Sequence, residues 1–324
     1  MDQGAQDGGR APRRGRRFDP AEAIHQRAAR LRFQQRRFAG CQSHADLLEQ
    51  PLRVVQLTDL HVGRITPEEV QWTAVDLAND AAPDLVCLTG DYVAHSQVYL
   101  SLLEELVRRI EAPVLAVMGN HDHWAGVGEV RGALQRGGAE VLGNACTVLE
   151  LKGQRLQVLG LDDAYTAHAQ PDRALRQLQP GLPTLGLSHV PEAAEALWRG
   201  GVPLVLSGHT HAGQVTVARL HELALGRFAG HRYVHGLYGS RTGKEGAVYV
   251  SAGIGASVMP LRVGQAGQRE ITIFELGLPP ASIPEPLTER EPLKGKRPSA
   301  RKLLRRRQRI ERLRRRREKK SDKD

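Results

Sequence analysis

The chain has 324 residues, of which 40% are hydrophobic, so it is long enough to bury a substantial core. No segment approaches the ~18 uninterrupted apolar residues of a membrane span, and the arginine-rich start is not followed by the apolar region of an export signal. Three widely spaced cysteines argue against a disulfide framework and against a Cys-x-x-Cys zinc site. We therefore expect a globular, cytoplasmic protein.

The net charge of +10 is unevenly distributed along the chain. Residues 1–40 contain ten arginines and four acidic residues, and residues 294–324 contain seventeen Lys and Arg and four acidic residues. The segment between them is acidic, so the basic charge describes the ends and not the fold. This distribution predicts three parts: a basic, partly helical N-terminal arm, 1–40, a folded domain, 41–278, and a Pro-rich linker with a basic tail, 279–324, that is largely disordered.

The N-terminal arm contains one segment with apolar residues at helical spacing, 21–38. Ile24, Leu31 and Phe38 are spaced along it among several arginines. This spacing predicts a basic helix that packs on the domain or on a partner.

Within the folded domain, short apolar runs alternate with helical segments. The first part is predicted to contain strand 52–59, helix 67–81, strand 84–91, helix 96–110 and strand 113–120. Strands that are apolar throughout are typical of sheets buried on both faces. Further strands are predicted at 139–151, 154–163, 183–190, 202–211, 246–253 and 269–276, with one short helix at 191–199. The order predicts an α/β (α+β) fold in which two packed, mixed β-sheets are flanked by helices.

The basic tail after the linker combines leucine and isoleucine side chains with blocks of arginine. One interpretation is a solvated, disordered tail. The other is attachment to an anionic surface, either nucleic acid or anionic lipid headgroups. The pattern leaves both interpretations open.

Five of the predicted strands end in polar clusters that share one chemistry. In chain order, the clusters are Asp59 with His61, Asp91, Asn120 with His121 and Asp122, His189, and His209 with His211. In open α/β sheets the carboxyl ends of neighbouring strands meet at one crevice, where ligands bind. Buried acids and imidazoles at such a place need partners or a cation, so the clusters predict a metal site.

The series of motifs D-x-H, G-D, G-N-H-D, H and G-H-x-H resembles the calcineurin-like metallophosphoesterases over residues 52–276. That family implies a four-layer sandwich and a phosphohydrolase that uses two divalent metal ions. The segments "GHTHAGQV", "GRFAGHRYVHGLY" and "VYVSAGIGASVMPLR" are similar to a bacterial branch that includes UDP-2,3-diacylglucosamine pyrophosphatases.

The resemblance also implies roles for the strand-end residues. One ion would be held by Asp59, His61, Asp91 and His211, and the other by Asp91, Asn120, His189 and His209. With Asp91 as the bridge, the ions would polarise the phosphoryl oxygens and activate a hydroxide for in-line attack. His121 would donate a proton to the leaving oxygen, with Asp122 holding its tautomer. Mixed nitrogen and oxygen ligands suit Mn, Fe, Co or Zn better than Mg, and the family favours Mn.

Three nearby residues are candidates for substrate contact: His123, Asp163 and Arg262. Trp124 is interpreted either as a wall of the substrate pocket or as a packing residue. The apolar-rich insertion 220–230 is interpreted either as a lip for an acyl chain or as ordinary packing.

Three functions fit this sequence. The first is a metal-dependent phosphohydrolase that cleaves a phosphoester or pyrophosphate of a lipid-linked or nucleotide-sugar substrate, with the basic tails holding it on the inner membrane face. The second keeps the chemistry but makes the substrate nucleic acid. The third is a nucleic-acid-binding protein that acts through residues 294–324. It ranks last because it leaves the ligand set without a purpose and because the tail has no aromatic residue for stacking on bases.

Overall fold

The computed structural model describes residues 20–94, 96–213, 231–243, 245–256 and 267–284, together with positions 262, 264, 292, 304, 305, 308 and 312. Half of the predicted arm, most of the basic tail and the insertion 220–230 lie outside these residues. The predictions made for those segments therefore stay predictions.

The first sheet contains six strands from both ends of the domain: β1 (Phe33–Ala39), β2 (Leu52–Leu57), β3 (Leu85–Leu88), β4 (Val114–Ala116), β5 (Glu140–Val141) and β12 (Arg269–Leu276). Their spatial order is β1-β12-β2-β3-β4-β5. All neighbours are parallel except β12 and β2, which run antiparallel.

The second sheet also contains six strands: β6 (Ala145–Leu151), β7 (Gln154–Gly160), β8 (Thr184–Leu187), β9 (Leu204–Ser207), β10 (Gly236–Gly239) and β11 (Ala247–Val250). Their spatial order is β10-β11-β9-β8-β7-β6. The central strands are parallel, and an antiparallel pair closes each edge. The prediction of two mixed sheets is thus confirmed.

Seven α-helices occur in the described ranges: α1 (Pro20–Arg30), α2 (Gln42–Leu47), α3 (Glu68–Asp80), α4 (Leu100–Arg108), α5 (Asn120–Arg136), α6 (Pro171–Leu175) and α7 (Ala194–Arg199). Helices α2, α5 and α6 and strand β10 were not predicted from the sequence. Among the described residues, no helix is long and apolar enough to cross a bilayer.

Three apolar clusters arrange these elements in four layers. Alternate residues of a strand point to opposite faces. In β2, Val54 accordingly faces the second sheet, while Val55 faces the helices α3, α4 and α5. A third cluster lies between the outer face of the second sheet and the helices α6 and α7. The strands are apolar throughout because both faces of each sheet are covered.

The prediction of one helix over 21–38 is wrong in its second half. Helix α1 ends at Arg30, and Phe33–Ala39 forms β1, a parallel neighbour of β12. Phe38 is fully buried between the sheets, with its ring centroid 5.5 Å from that of Phe274 and 4.8 Å from that of Tyr249. Burial of this aromatic residue in a sheet outweighs the helical spacing, which reflects a weak local preference. The folded domain therefore begins before residue 41.

Candidate metal centre

The strand-end clusters of the two sheets meet at one end of the sandwich. Asp59 and His61 follow β2, and Asp91 follows β3. Asn120 begins α5, directly after the G of the G-N-H-D motif. His189 follows β8, and His209 and His211 follow β9. Each sheet thus contributes donors to the same site, as parallel strands do at their carboxyl ends.

One group of donors contains Asp59, His61 and His211. The Nε2 atoms of His61 and His211 lie 3.0 Å apart. His211 Nε2 lies 3.3 Å from Asp59 Oδ1, and His61 Nε2 lies 3.9 Å from the same oxygen. Both imidazoles and the carboxylate are buried, so their lone pairs converge in a site sheltered from water.

A second group contains Asp91, His189 and His209. His189 Nε2 lies 3.2 Å from Asp91 Oδ2 and 3.2 Å from His209 Nδ1. Asp91 Oδ2 also lies 3.7 Å from His61 Nε2, which belongs to the first group. Asp91 therefore stands between the two groups, where a carboxylate that serves two ions has to be.

The charge states of the imidazoles differ within the site. Burial lowers the pKa of His61 and of His211 to about 3, so both rings are neutral. Burial also disfavours a charge on His189, but the charge and hydrogen bond of Asp91 raise the pKa of His189 to about 10. The Nδ1–H of His189 donates to the Thr89 carbonyl at 2.8 Å. That bond orients Nε2 towards Asp91, as partners of metal-ligating histidines commonly do.

The donor set fits divalent ions better than it fits a closed network of hydrogen bonds. Asn120 Oδ1 is buried without a hydrogen-bond partner among the described residues, and so is His61 Nδ1. An unpaired buried acceptor costs free energy unless a cation or a water binds it. Asn120 is therefore placed to add an oxygen ligand, and mixed nitrogen and oxygen donors suit the transition metals.

Backbone strain is concentrated at the same residues. Asp59, His61, Asp91, His209 and His211 all have positive φ, between 42° and 77°. Residues with a side chain rarely adopt this left-handed region, and it persists where surrounding structure imposes it, often at functional sites. Two glycines allow the close packing that holds these turns. A Cβ at Gly119 would lie 2.3 Å from Asp91 Oδ1, and one at Gly208 would lie 2.3 Å from Asp59 Oδ2.

His121 lies beside the donor groups and is partly buried. Its backbone N–H donates to Asp91 Oδ1 at 2.8 Å, and its ring centroid is 4.8 Å from that of His61. The Nδ1–H of the ring donates to the Ala94 carbonyl at 2.7 Å, which leaves Nε2 for the site. One ring nitrogen also lies within 4.8 Å of a ligand atom of His61 and of Asp91. The geometry therefore allows His121 to act as an acid or as a metal ligand.

The predicted contact between Asp122 and the His121 ring is wrong. Asp122 is fully buried, and its carboxylate accepts backbone N–H groups of Asp91, Tyr92 and Gly119 at 2.8–2.9 Å. Ala94, and not Asp122, binds the Nδ1–H of His121. Asp122 acts on the site by holding the turns that carry Asp91 and His121.

Two predicted substrate contacts are buried on partners of their own. The His123 side chain is 5% exposed, and its Nε2 lies 2.7 Å from Asp162 Oδ1. Asp163 is 0% exposed and accepts the N–H groups of Tyr165 and Thr166. Both residues shape the loop that follows β7, and their contact with a substrate stays a prediction.

The third predicted contact, Arg262, is 6% exposed. Its guanidinium donates to the carbonyls of Ala252, at 2.9 Å, and of Gly255. It also lies 3.4 Å from His211 Nδ1. Arg262 is therefore buried on backbone carbonyls, and a contact between its guanidinium and a substrate stays a prediction. It holds the loop after β11 beneath the first donor group.

Sequence reasoning missed two residues of the loop that follows β7, Tyr165 and His168. The Tyr165 ring centroid lies 5.2 Å from that of His209 and 6.0 Å from that of Trp124. The His168 ring stacks on His123 with centroids 4.2 Å apart. The available signal was their position just after a strand of the second sheet, where the other site residues also lie.

Comparison with known proteins agrees with this site. A family model described as calcineurin-like phosphoesterase matches residues 52–213. The metallophosphoesterase YkuE of Bacillus subtilis is 31% identical over 230 residues, which cover 69% of this chain and 78% of YkuE. The phosphodiesterase YaeI of Escherichia coli is 31% identical over 237 residues, which cover 70% of this chain and 82% of YaeI.

A protein of Danio rerio named as a transmembrane protein with a metallophosphoesterase domain is 31% identical over 238 residues. The match covers 68% of this chain and about half, 52%, of the fish protein. Residues 52–213, which the family model matches, contain the donor groups around Asp91 and the strands that carry them. This chain accordingly belongs to the calcineurin-like phosphoesterase family and is a metal-dependent hydrolase of phosphoric esters.

Proposed function

We propose that the protein is a phosphodiesterase that holds two divalent ions, with Mn as the first choice, and cleaves a phosphodiester or pyrophosphate bond. The observation that carries the proposal is the position of Asp91, whose Oδ2 lies 3.2 Å from His189 Nε2 and 3.7 Å from His61 Nε2. A carboxylate with one donor group on each side matches the bridge of a two-metal centre. The name of the Escherichia coli relative supports a diester as substrate.

Asp59, His61 and His211 would hold one ion, and Asn120, His189 and His209 the other, with Asp91 shared. When bound, such ions supply Lewis acidity to the phosphoryl group and make water acidic enough to ionise near neutral pH. Asn120 Oδ1 is buried without a hydrogen-bond partner among the described residues, which supports its role as a metal ligand.

His121 provides the general acid in this proposal. The Ala94 carbonyl fixes its Nδ1–H, so the ring can donate only from Nε2, and only when it is the imidazolium. A group positioned in this way protonates the leaving oxygen as the ester bond breaks. Asp122 supports the step indirectly through the backbone of Asp91 and Gly119.

The physiological substrate is proposed to be lipid-linked or a nucleotide sugar, as in the diacylglucosamine pyrophosphatase branch. The basic residues of 294–324 would bind the acidic domain to anionic lipid headgroups at the inner membrane face. Each Lys or Arg near such a surface contributes roughly 1 kcal/mol of attraction. Nucleic acid is the competing anionic surface, which would make the protein a nuclease.

The test of the chemistry measures hydrolysis of bis-p-nitrophenyl phosphate by full-length protein that has been stripped of metal and reloaded with Mn. We expect no turnover without metal and full turnover near two equivalents. Saturation at one equivalent would contradict the two-ion proposal. Hydrolysis that survives the complete removal of metal would contradict the whole mechanism.

The test of the tail compares the full-length chain with a variant that lacks 294–324. Turnover of the small diester should be equal, because none of the proposed ligands is removed. Sedimentation with vesicles of phosphatidylglycerol should fall and lose its salt dependence. Equal vesicle binding by both proteins would refute the membrane proposal. Tail-dependent cleavage of DNA or RNA would favour the nuclease instead.

A further inference from the structure

Two aromatic side chains lie beside the donor groups and contact each other. The Trp124 ring centroid is 4.7 Å from that of His121, the proposed acid. The Tyr165 ring centroid is 5.2 Å from that of His209. The two aromatic rings lie 6.0 Å apart at 79°, and both side chains are partly exposed. We call this pair the aromatic wall.

The aromatic wall is not part of the apolar core. The chain has three tryptophans. Trp72 packs on the cluster between the first sheet and its helices, and Trp198 packs on the cluster beneath α7. Neither Trp124 nor Tyr165 belongs to any of the three apolar clusters that the described residues form. Their ring neighbours among the described residues include the histidines of the site, His121 and His209.

A network of polar contacts holds the aromatic wall in place. His123, next to Trp124 in α5, binds Asp162 Oδ1 at 2.7 Å and stacks on His168. His168 in turn lies 2.7 Å from Thr166 Oγ1, and Asp163 accepts the N–H of Tyr165. These contacts fasten the loop after β7 to the first turn of α5. The two rings are therefore positioned in advance, which lowers the cost of ordering them around a ligand.

We propose that the aromatic wall binds the group next to the scissile phosphate, and that it selects substrates in which that group carries a planar aromatic ring, as a nucleotide sugar does. This inference rests on the proposed phosphodiesterase function and assigns the substrate class of the same site. A ring that lies against Trp124 and Tyr165 gains stacking and edge-to-face contacts that an alkyl group lacks. Such contacts correspond to about 10-fold in affinity.

The competing explanation is that the two rings only hold His121 and His209 in place. It makes a different prediction, because removal of a ring would then impair the site for every phosphate ligand alike. A substrate wall, by contrast, affects only ligands that carry a ring. The comparison of an aryl with an alkyl ligand of the same charge therefore separates the two roles.

The experiment uses phenylphosphonate and methylphosphonate, which carry a ring and a methyl group on the same phosphorus. Their binding to the Mn-loaded full-length chain is measured by calorimetry, and their inhibition constants are measured against bis-p-nitrophenyl phosphate. We expect the wild-type protein to bind phenylphosphonate about 10-fold more tightly than methylphosphonate. The variants Trp124→Ala and Tyr165→Ala should each reduce this preference towards onefold and leave the affinity for methylphosphonate unchanged.

Trp72→Ala is the matched control, because Trp72 packs on the core away from the site and should keep the full preference. Equal binding of the two phosphonates by the wild-type protein would overturn the inference. So would a preference that survives both variants, or a parallel loss of methylphosphonate binding in both. If the preference is found but no diester is hydrolysed, the proposed function fails while the aromatic wall stands.

Discussion

Two of the buried groups of carboxylates and imidazoles among the described residues differ in their need for a cation: the metal centre needs one, and the Glu270 cluster does not. The Glu270 cluster lies between β12, β1 and the second sheet. The fully buried Glu270 carboxylate contacts His235 Nε2 at 2.9 Å, Arg36 Nε at 2.8 Å and the Tyr249 hydroxyl at 2.7 Å. Gln34 donates a further bond at 3.1 Å.

The metal centre contains the same residue types, but it has too few cationic partners for its carboxylates. Its Asp59 and Asp91 face the imidazoles of His61, His189 and His211, two of which are neutral. Asn120 Oδ1 has no hydrogen-bond partner among the described residues, whereas the atoms of the Glu270 cluster that lack a hydrogen bond are nitrogens, Arg36 Nε and His235 Nδ1. An unpaired oxygen attracts a cation, and an unpaired ring nitrogen beside a satisfied carboxylate does not need one.

The contrast shows that buried acids and histidines do not by themselves identify a metal site. What distinguishes the two clusters is whether the protein supplies enough cationic and N–H donors for the carboxylates. Arg36 and His235 do so for Glu270, and they lower its pKa to about 2 even though burial opposes the charge. Five candidate metal ligands at the strand ends also have a strained backbone with positive φ. No residue named in the Glu270 cluster has a positive φ.

The largest expected effect separates the clusters by their metal dependence. Asp91→Asn should abolish the retention of metal and lower turnover of bis-p-nitrophenyl phosphate by roughly 10⁴-fold or more, because Asp91 is the carboxylate that lies between the two donor groups of the described residues. Metal content is measured by mass spectrometry after gel filtration, and turnover by release of p-nitrophenol.

Glu270→Gln is the matched control, since it also neutralises one buried carboxylate with nearly the same shape. It should keep its metal and most of its turnover. Metal loss in Glu270→Gln, or full metal content in Asp91→Asn, would show that the two clusters are not functionally distinct.

The second effect divides the roles within the metal centre. His121→Ala should lower kcat by roughly 10²- to 10⁴-fold, the usual contribution of a positioned acid, while metal content stays near the wild-type value. The decrease in kcat should be smaller for a substrate with a more acidic leaving group, since the departure of that group needs less protonation. If the variant loses metal instead, His121 is a ligand, as its distance from His61 and Asp91 also allows.

The smallest effect concerns the Glu270 cluster and its pH dependence. The folded-state pKa of Glu270 is about 2, below its ordinary value of 4.5, so the charged form stabilises the fold above pH 4.5. That contribution is lost as the pH falls from 4.5 towards 2. The difference in unfolding free energy between wild type and Glu270→Gln should therefore shrink by about 1 kcal/mol between pH 7 and pH 3.5.

Urea titrations with a chelator present at each pH measure this difference without a contribution from metal. A difference that stays constant between pH 7 and pH 3.5 would mean that folding does not lower the pKa of Glu270. The chelator also makes the result independent of the proposed two-metal function.

The candidate metal ligands could be identified from the sequence because each one follows a recognisable apolar strand. Asp59, Asp91 and His209 stand directly after runs whose β character is unambiguous, and parallel strands bring such ends together. The candidate ligands, the strands that precede them and the two-sheet arrangement could therefore be predicted. The local sequence pattern gave the wrong secondary structure where burial in the tertiary structure determines it. Phe38, for example, lies in a strand although its spacing from the other apolar residues is helical.

Contacts between distant segments could be decided only by the tertiary structure. The Glu270 cluster joins residues from β1, from the turn before β10 and from β12, and no spacing in the chain connects Gln34 with His235 or Glu270. The sequence likewise determined that Trp124 follows the G-N-H-D motif, but its neighbour Tyr165 lies in a loop of the other sheet. Sequence spacing encodes which residues share a strand or a helix face, whereas side-chain partners depend on how the layers pack.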